Sequence, residues 1–306
     1  MDVLANVLAI TRLGNSVLNQ SELLPPWGLE VDAFSIAAVH VVQRGSCWLR
    51  LDRKSAPTRL EVGDLVLVAR GMRHSLSDAP RTKVQPYEAA LSAMAQRLGR
   101  GETSPDSALI LCAAFEFVHE GPHPLLGVLP EVIHLRRHDV TADRTLSLLL
   151  DLLLLEATGR ASGTELVVPR LIDVLLVFIV RSWIALQPRG TTGWVGALRD
   201  PLVGRALEQI HLKPAHPWRI EELAQAVATS RPTLVRRFSE MVGISPAAYL
   251  TQWRMTLAAQ LLRDTHHALD AVAEQSGYGS PAAFSKAFRK HFQRAPGAYR
   301  EAMRSA

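Results

Sequence analysis

Two sets of side chains in this sequence have types and spacings suited to chemistry. The first is cationic. Arg231, Arg236 and Arg237 fall in one short stretch with no acid among them, interleaved with Ser230, Thr233 and Val235. Fifty residues later Lys286, Arg289 and Lys290 recur with Ser280, Ala282 and Ser285. Guanidinium and ammonium groups neutralise phosphates, arginine pairs with guanine edges, and short side chains let a helix approach the base edges of a DNA groove. The second set is His40, Cys47, His74 and Cys112. Neutral imidazoles bind metals or hydrogen-bond to organic ligands, and thiols that reach the thiolate form sense oxidants.

The elements that must position the cations are written as a repeat. An offset of 50 residues places Ser230 on Ser280, Phe238 on Phe288, Pro246 on Pro296, Ala248 on Ala298 and Tyr249 on Tyr299. Each copy reads as helix, turn, helix. Ser230 and Ser280 are N-cap residues, and Pro232 and Pro281 sit in the first turn, where the missing N–H costs nothing. Leu234 with Phe238, and Phe284 with Phe288, stand four apart and form the buried stripe, leaving the cations on the opposite face. Pro246–Arg263 between the copies reads as one long helix, a rod that would hold two reading helices for successive major grooves about 34 Å apart. The charge follows the same division. The chain has 34 Lys+Arg against 29 Asp+Glu, and the whole excess lies beyond residue 200, which points to a polyanionic partner for that third alone.

Residues 1–140 have a different texture. Ala37–Val42, Cys47–Leu51, Leu65–Val68 and Leu109–Phe117 are β-rich runs separated by turn signals, which suits a barrel or sandwich. Residues 86–107 hold a short helical pattern and then a polar loop. Two helices follow, Thr145–Thr158 and Thr164–Gln187, apolar around most of their circumference. A small β domain covers one face of such helices, so residues 141–188 are expected to dimerise the chain. Residues 189–201 have the Pro/Gly/Thr composition of a linker, and 202–306 form the helical domain. The fold expected is α+β: an N-terminal β-barrel, a helical pair, and an all-α domain with two helix-turn-helix units. Two cysteines exclude a disulfide scaffold and a CxxC zinc ribbon. The stretch Leu171–Leu186 carries Asp173 and Arg181 and is too short for a good membrane span, and the start lacks the pattern of a signal peptide, so a cytoplasmic protein is expected.

The C-terminal text resembles the AraC/XylS family of bacterial transcription regulators. The resemblance rests on Trp218–Ala224, Ser230–Phe238, Gly243–Pro246, Tyr249-Leu250, Trp253–Met255, Gly277–Ser280, Phe284–Phe288, Pro296 and Tyr299-Arg300. It implies promoter DNA as partner, with Ser230, Arg231, Thr233, Val235, Arg236 and Arg237 in the first reading helix. Ser280, Ala282, Ser285, Lys286, Arg289 and Lys290 serve the second. It also implies contact with RNA polymerase and an output as an activator. Gln293 and Ala295 depart from Gly243 and Ser245 of the first copy, which predicts a different turn after the second reading helix.

Gly63–Asp78 resembles the second cupin motif, with Gly71 at the turn and His74 after it, although Ala69 and Asp78 replace the usual Pro and Asn. With Pro124–Pro130 it is similar to the cupin-type sensor of a subset of these regulators. In that resemblance Cys112 stands where relatives often carry a cysteine, some of them thiol-based sensors. The cupin metal pair His-x-His is missing upstream of Gly63, where only His40 stands, so no metal and no cofactor is expected. His40, Cys47, His74 and Cys112 remain candidates for sensing a small molecule or an oxidant. Arg44 and Arg50 flank Cys47 and would lower its pKa, while both cysteines lie in apolar strands that favour inert thiols. His119, His123, His134 and His138 read as surface residues, and His266-His267 as a solvated loop. The alternative reading is a cupin-type metal-dependent enzyme fused to a DNA-binding tail.

Overall fold

The computed structural model describes residues 3–4, 6, 13–32, 36–52, 55–69, 71–117, 129–159, 161–188, 191 and 193–305. Pro124–Val128, His119 and His123 lie outside them. The chain divides into two compact units, Leu13–Val118 with Leu129–Leu186, and Gln187–Ala306.

The first unit contains two five-stranded sheets. One is ordered β1 (Leu13–Leu23), β9 (Ala108–Phe117), β3 (Ile36–Arg44), β6 (Leu65–Val68), β10 (Val132–Leu135). The other is ordered β5 (Thr58–Glu61), β4 (Ser46–Arg50), β7 (His74–Ser77), β2 (Gly28–Val31), β8 (Gln85–Pro86). Sequence pattern explains which strands lie where. In β4, Cys47 and Leu49 are buried while their neighbours are half-buried, the alternation of a strand with one face to the core. In β6, Leu-Val-Leu-Val is buried throughout, as an uninterrupted apolar run must be. Gly71 turns the chain into β7 with a φ of +60°, a conformation that glycine adopts without steric cost. The helical pattern after residue 86 is α1 (Tyr87–Gly99).

Helices α2 (Arg137–Ala142), α3 (Arg144–Thr158) and α4 (Thr164–Leu186) complete this unit. The Asp143 carboxylate accepts from the backbone N–H groups of Thr145 and Leu146, both at 3.1 Å, and from the Ser182 hydroxyl, so one side chain caps α3 and ties it to α4. Leu146, Leu149, Leu150 and Leu153 of α3, and Ile172, Leu175, Leu176, Ile179 and Val180 of α4, are buried. Helix α4 packs on β1, β9 and β10, so the apolar pair shares one core with the sheets. Leu148, Leu152, Leu155, Leu166, Val167 and Val174 remain exposed on the outer side.

In the second unit the segment read as a linker holds a helix, α5 (Gly193–Arg199), with Trp194, Val195 and Ala197 buried. Its Gly/Thr-rich lead-in resembles a linker, but an apolar Trp-Val pair at its start needs a core. Then follow α6 (Val203–Leu212), α7 (Ile220–Ala226), α8 (Arg231–Val242), α9 (Pro246–Asp264), α10 (Leu269–Gln275), α11 (Pro281–Phe292) and α12 (Pro296–Ser305). The repeat is structural as well as textual. The Ser230 and Ser280 hydroxyls accept from the backbone N–H of Thr233 at 3.4 Å and of Ala283 at 3.2 Å. Phe238 meets Tyr249 edge-on at 5.7 Å, and Phe288 meets Tyr299 edge-on at 5.3 Å. The expected change of turn after the second copy is not seen: Gln293 takes the left-handed conformation, φ +57°, that Gly243 takes at +83°. The difference is chemical instead. Ser245 caps α9 through the Ala248 N–H, and Ala295 has no oxygen with which to do the same.

His211 lies against Trp253, ring centroids 4.0 Å apart, with its Nε2 2.8 Å from the Tyr249 hydroxyl. Burial lowers its pKa to about 3. The unfolded chain binds a proton there below the ordinary value of 6.5 and the folded chain does not, so stability is complete above that pH and is lost as pH falls toward 3. The shift corresponds to up to about 5 kcal/mol. Urea midpoints across this range should fall less steeply for His211→Gln than for the unsubstituted chain. Parallel curves would show that His211 is not the group responsible.

Candidate nucleic-acid interface and ligand pocket

Helices α8 and α11 each turn a Leu or Phe pair inward, leaving the candidate readers outward, but the two copies treat their cations differently. In α8, Arg231 pairs with Glu221 at 2.8 Å and Arg236 with Glu240 at 2.9 Å, both at exposed positions. Arg237 places its Nε and Nη2 at 2.9 and 2.5 Å from one oxygen of Asp200, whose side chain is 3% exposed. The other oxygen of Asp200 accepts from the N–H groups of Leu202 and Val203 at the start of α6. Burial would raise the Asp200 pKa, but these hydrogen bonds hold it below the usual carboxylate range. Arg237 therefore fastens α8 to α6 rather than projecting freely. In α11, Lys286, Arg289 and Lys290 are exposed and make no ion pair among the described residues. Thr233, Val235 and Ser285 are half-buried, and Arg231, Ala282 and Ser280 exposed.

Three of the four sensing candidates come together. His40 on β3 lies directly opposite Cys112 on β9, and its Nδ1 is 3.1 Å from the Cys112 sulfur. Its Nε2 is 2.8 Å from Nε2 of His74, which stands on β7 in the other sheet. The His74 Nδ1 is 2.9 Å from the Met72 carbonyl. Burial, and then the neighbouring His74, hold the His40 pKa well below 6.5. Burial also lowers that of His74, against the opposing effect of the Met72 carbonyl. Both rings are neutral at neutral pH and each carries one N–H. The carbonyl can only accept, so His74 donates from Nδ1 and accepts at Nε2. His40 then donates from Nε2, leaving its Nδ1 to accept from the Cys112 thiol. The donors run in one direction, Cys112 to His40 to His74 to Met72.

This chain of hydrogen bonds forms part of the wall of a cavity of about 300 Å³ lined by both sheets and α1. Val31, Ala38, Val68, Met72 and Ala113 supply apolar surface. Tyr87 accepts from the Asn19 amide at 2.9 Å. Cys47 is not in the wall but in the core beneath it. The arginines flanking it do not lower its pKa. Arg44 pairs with Glu22, Arg50 donates to the Pro80 carbonyl, and burial, followed by Cys112 and Asp64, pushes the thiol up to about 12. Burial takes Cys112 to about 12 as well. His134, read as a surface residue, has its Nε2 3.1 Å from buried Asp64. Among the described residues no three His, Cys, Asp or Glu side chains are grouped to hold a metal ion.

Residues 2–185 match a family model described as Cupin, and residues 223–302 one described as a helix-turn-helix domain. A protein of Streptomyces antibioticus described as an AraC-like transcription regulator is 33% identical across 98% of this chain and 99% of its own. The HTH-type transcriptional regulator AlkR of Acinetobacter baylyi is 29% identical, over 98% of this chain and 99% of its own. This chain belongs to the AraC family of transcription regulators. Among solved structures, the DNA-binding domain of AdpA in complex with a target DNA is 32% identical over 35% of this chain and 95% of that one, with a TM-score of 0.34. The AraC-family chain is thus a DNA-binding transcription regulator with an N-terminal cupin region, and its relatives are regulators rather than enzymes.

Sequence reasoning missed Asp200, the acid that engages Arg237, and Asn19 and Tyr87 of the pocket. Strand register and helix packing create these meetings across 37 and 68 residues of chain, and local spacing carries no sign of them. The pKa values yield a direct expectation. In the folded AraC-family protein at neutral pH, iodoacetamide should leave Cys47 and Cys112 unmodified over a time that labels both in urea, as read by peptide mass spectrometry. Rapid labelling of either in the folded chain would show a thiolate that the burial argument forbids.

Proposed function

We propose that this regulator binds promoter DNA sequence-specifically through the outward faces of α8 and α11, acts in the cytoplasm as a homodimer, and activates transcription together with RNA polymerase when its N-terminal region takes up a small molecule. The observation that carries the DNA-binding part is the pair of serine-capped, cation-bearing helices repeated at 50 residues. Each buries an aromatic against α9 or its equivalent and leaves short polar and basic side chains outside.

Within that reading the cations divide their work. Lys286, Arg289 and Lys290 have no protein partner among the described residues and serve to neutralise phosphates. Arg236 and Arg231 exchange a surface carboxylate for DNA at little cost, since exposed ion pairs are worth about 0–1 kcal/mol. Arg237 does not read bases: releasing it would strip a buried carboxylate of its partner. The two sheets are the walls of a cupin-like barrel and the cavity between them is the effector pocket, with His40, His74 and Cys112 in its wall. A ligand is favoured over an oxidant because both thiols are held protonated by burial. The exposed leucines and valines of α3 and α4 are the surface on which two copies meet. The effector acts by binding two states of the dimer unequally.

Fluorescence anisotropy on the bound promoter segment tests the division of the cations. Arg236→Ala should weaken specific binding by about 1–3 kcal/mol and relax preference at one position. Lys286→Ala should weaken all sequences alike and make the slope of log affinity against log salt shallower by about one unit. A variant Arg237→Ala that keeps its fold but alters base preference would return that residue to the readers. The dimer is tested separately by sedimentation. Leu152→Glu with Leu155→Glu, both at exposed positions, should give monomers where the unsubstituted chain gives dimers. Dimers unchanged by the substitutions would place the interface elsewhere.

A further inference from the structure

We infer that the ligand of the cavity between the sheets is an apolar molecule carrying one positive charge. The inference rests on the reading of that cavity as the effector pocket and adds the chemical class.

Among the described lining side chains the Tyr87 hydroxyl is the one donor left to an anion, and none is a cation. Both imidazoles are neutral, and every N–H they carry is committed: His40 to His74, and His74 to the Met72 carbonyl. The Cys112 thiol proton is committed to His40. Among the described residues that line the cavity there is no lysine or arginine. A carboxylate head group entering it would lose its water without gaining a cationic partner among the described residues. Acids, by contrast, stand in the lining. Glu30 is half-buried and Glu88 exposed, and neither has an ion-pair partner among the described residues. Asp32, the third, is paired with Arg73 at 2.8 Å. Among the described residues the lining therefore holds two carboxylates with no counter-charge over an apolar interior.

Tyr87 adds a second feature of the same sign. It sits at the start of α1, next to Glu88, and receives the Asn19 amide proton at 2.9 Å. Burial, then Cys112, and Glu88 more weakly, raise its pKa, so it keeps its hydroxyl proton. Its ring is an electron-rich face beside the two acids, and such faces attract ammonium groups. A cation held there by Glu30, Glu88 and Tyr87 can leave an apolar tail among Val31, Ala38, Val68 and Ala113. A cavity of about 300 Å³ suits a small ligand rather than a long lipid.

Calorimetric titration of the full-length protein with octylammonium, octan-1-ol and octanoate tests the charge at a constant tail. Octylammonium should bind about tenfold more tightly than octan-1-ol, the scale of two partly exposed ion pairs, and octanoate most weakly. Added salt should weaken octylammonium and spare octan-1-ol. In the double variant Glu30→Gln, Glu88→Gln the preference for octylammonium should vanish while octan-1-ol binds as before, which also shows the pocket intact. Octanoate binding as well as octylammonium, or a preference that survives the double substitution, overturns the assignment of charge and leaves the pocket standing. Failure of all three to bind overturns the pocket reading as well.

Discussion

The hydrogen bond between His40 and His74 is the polar constraint on which the first unit turns. It joins a strand of one sheet to a strand of the other through two rings each 2% exposed. Rings buried that deeply stay neutral, and neutral rings have one donor each. A single backbone carbonyl at one end therefore decides every proton position up to Cys112. The arrangement leaves the sheets joined by a directional chain of donors with no charge in it. That stretch of the cavity wall is consequently uncharged although it is made of a thiol and two imidazoles.

In the second unit the corresponding role belongs to aromatic pairs. Phe238 on Tyr249 and Phe288 on Tyr299 seat α8 and α11 by the same edge-on contact. The seating is common to both copies, and the outward faces are free to differ. They do: α8 has its arginines engaged with Glu221, Asp200 and Glu240, while the cations of α11 stand clear.

How far this could be read beforehand depended on the reach of each interaction. Caps, first-turn prolines and i, i+4 apolar pairs are local, so the repeat declares both helix-turn-helix units and even the starts of α8 and α11. Strand β6 was legible because an apolar run of four has few other homes. Strand β1 was not, since LGNSVLNQSEL mixes polar and apolar residues without a clear alternation. Helix α5 hid behind a Gly/Thr-rich lead-in. The residue type of Gln293 points to a different turn, but the left-handed turn there is imposed by the helix end it terminates rather than by the side chain. The individual histidines and Cys112 stand out in the sequence by their chemistry, but their meeting depends on the register of β3 against β9 and on a contact between the two sheets.

The duplication has one more consequence. A protein that reads DNA with two copies of one motif in a single chain would be indifferent to the direction of its site if the copies were identical and related by a twofold axis. Here they follow one another in sequence and carry different outward residues, Arg231, Thr233 and Arg236 in one and Ala282, Ser285 and Lys286 in the other. Laid along a duplex by these two faces, the chain would have a head and a tail. Under the proposed mode of binding, reversing the site would be a change of message, its polarity written into the order of the two helices.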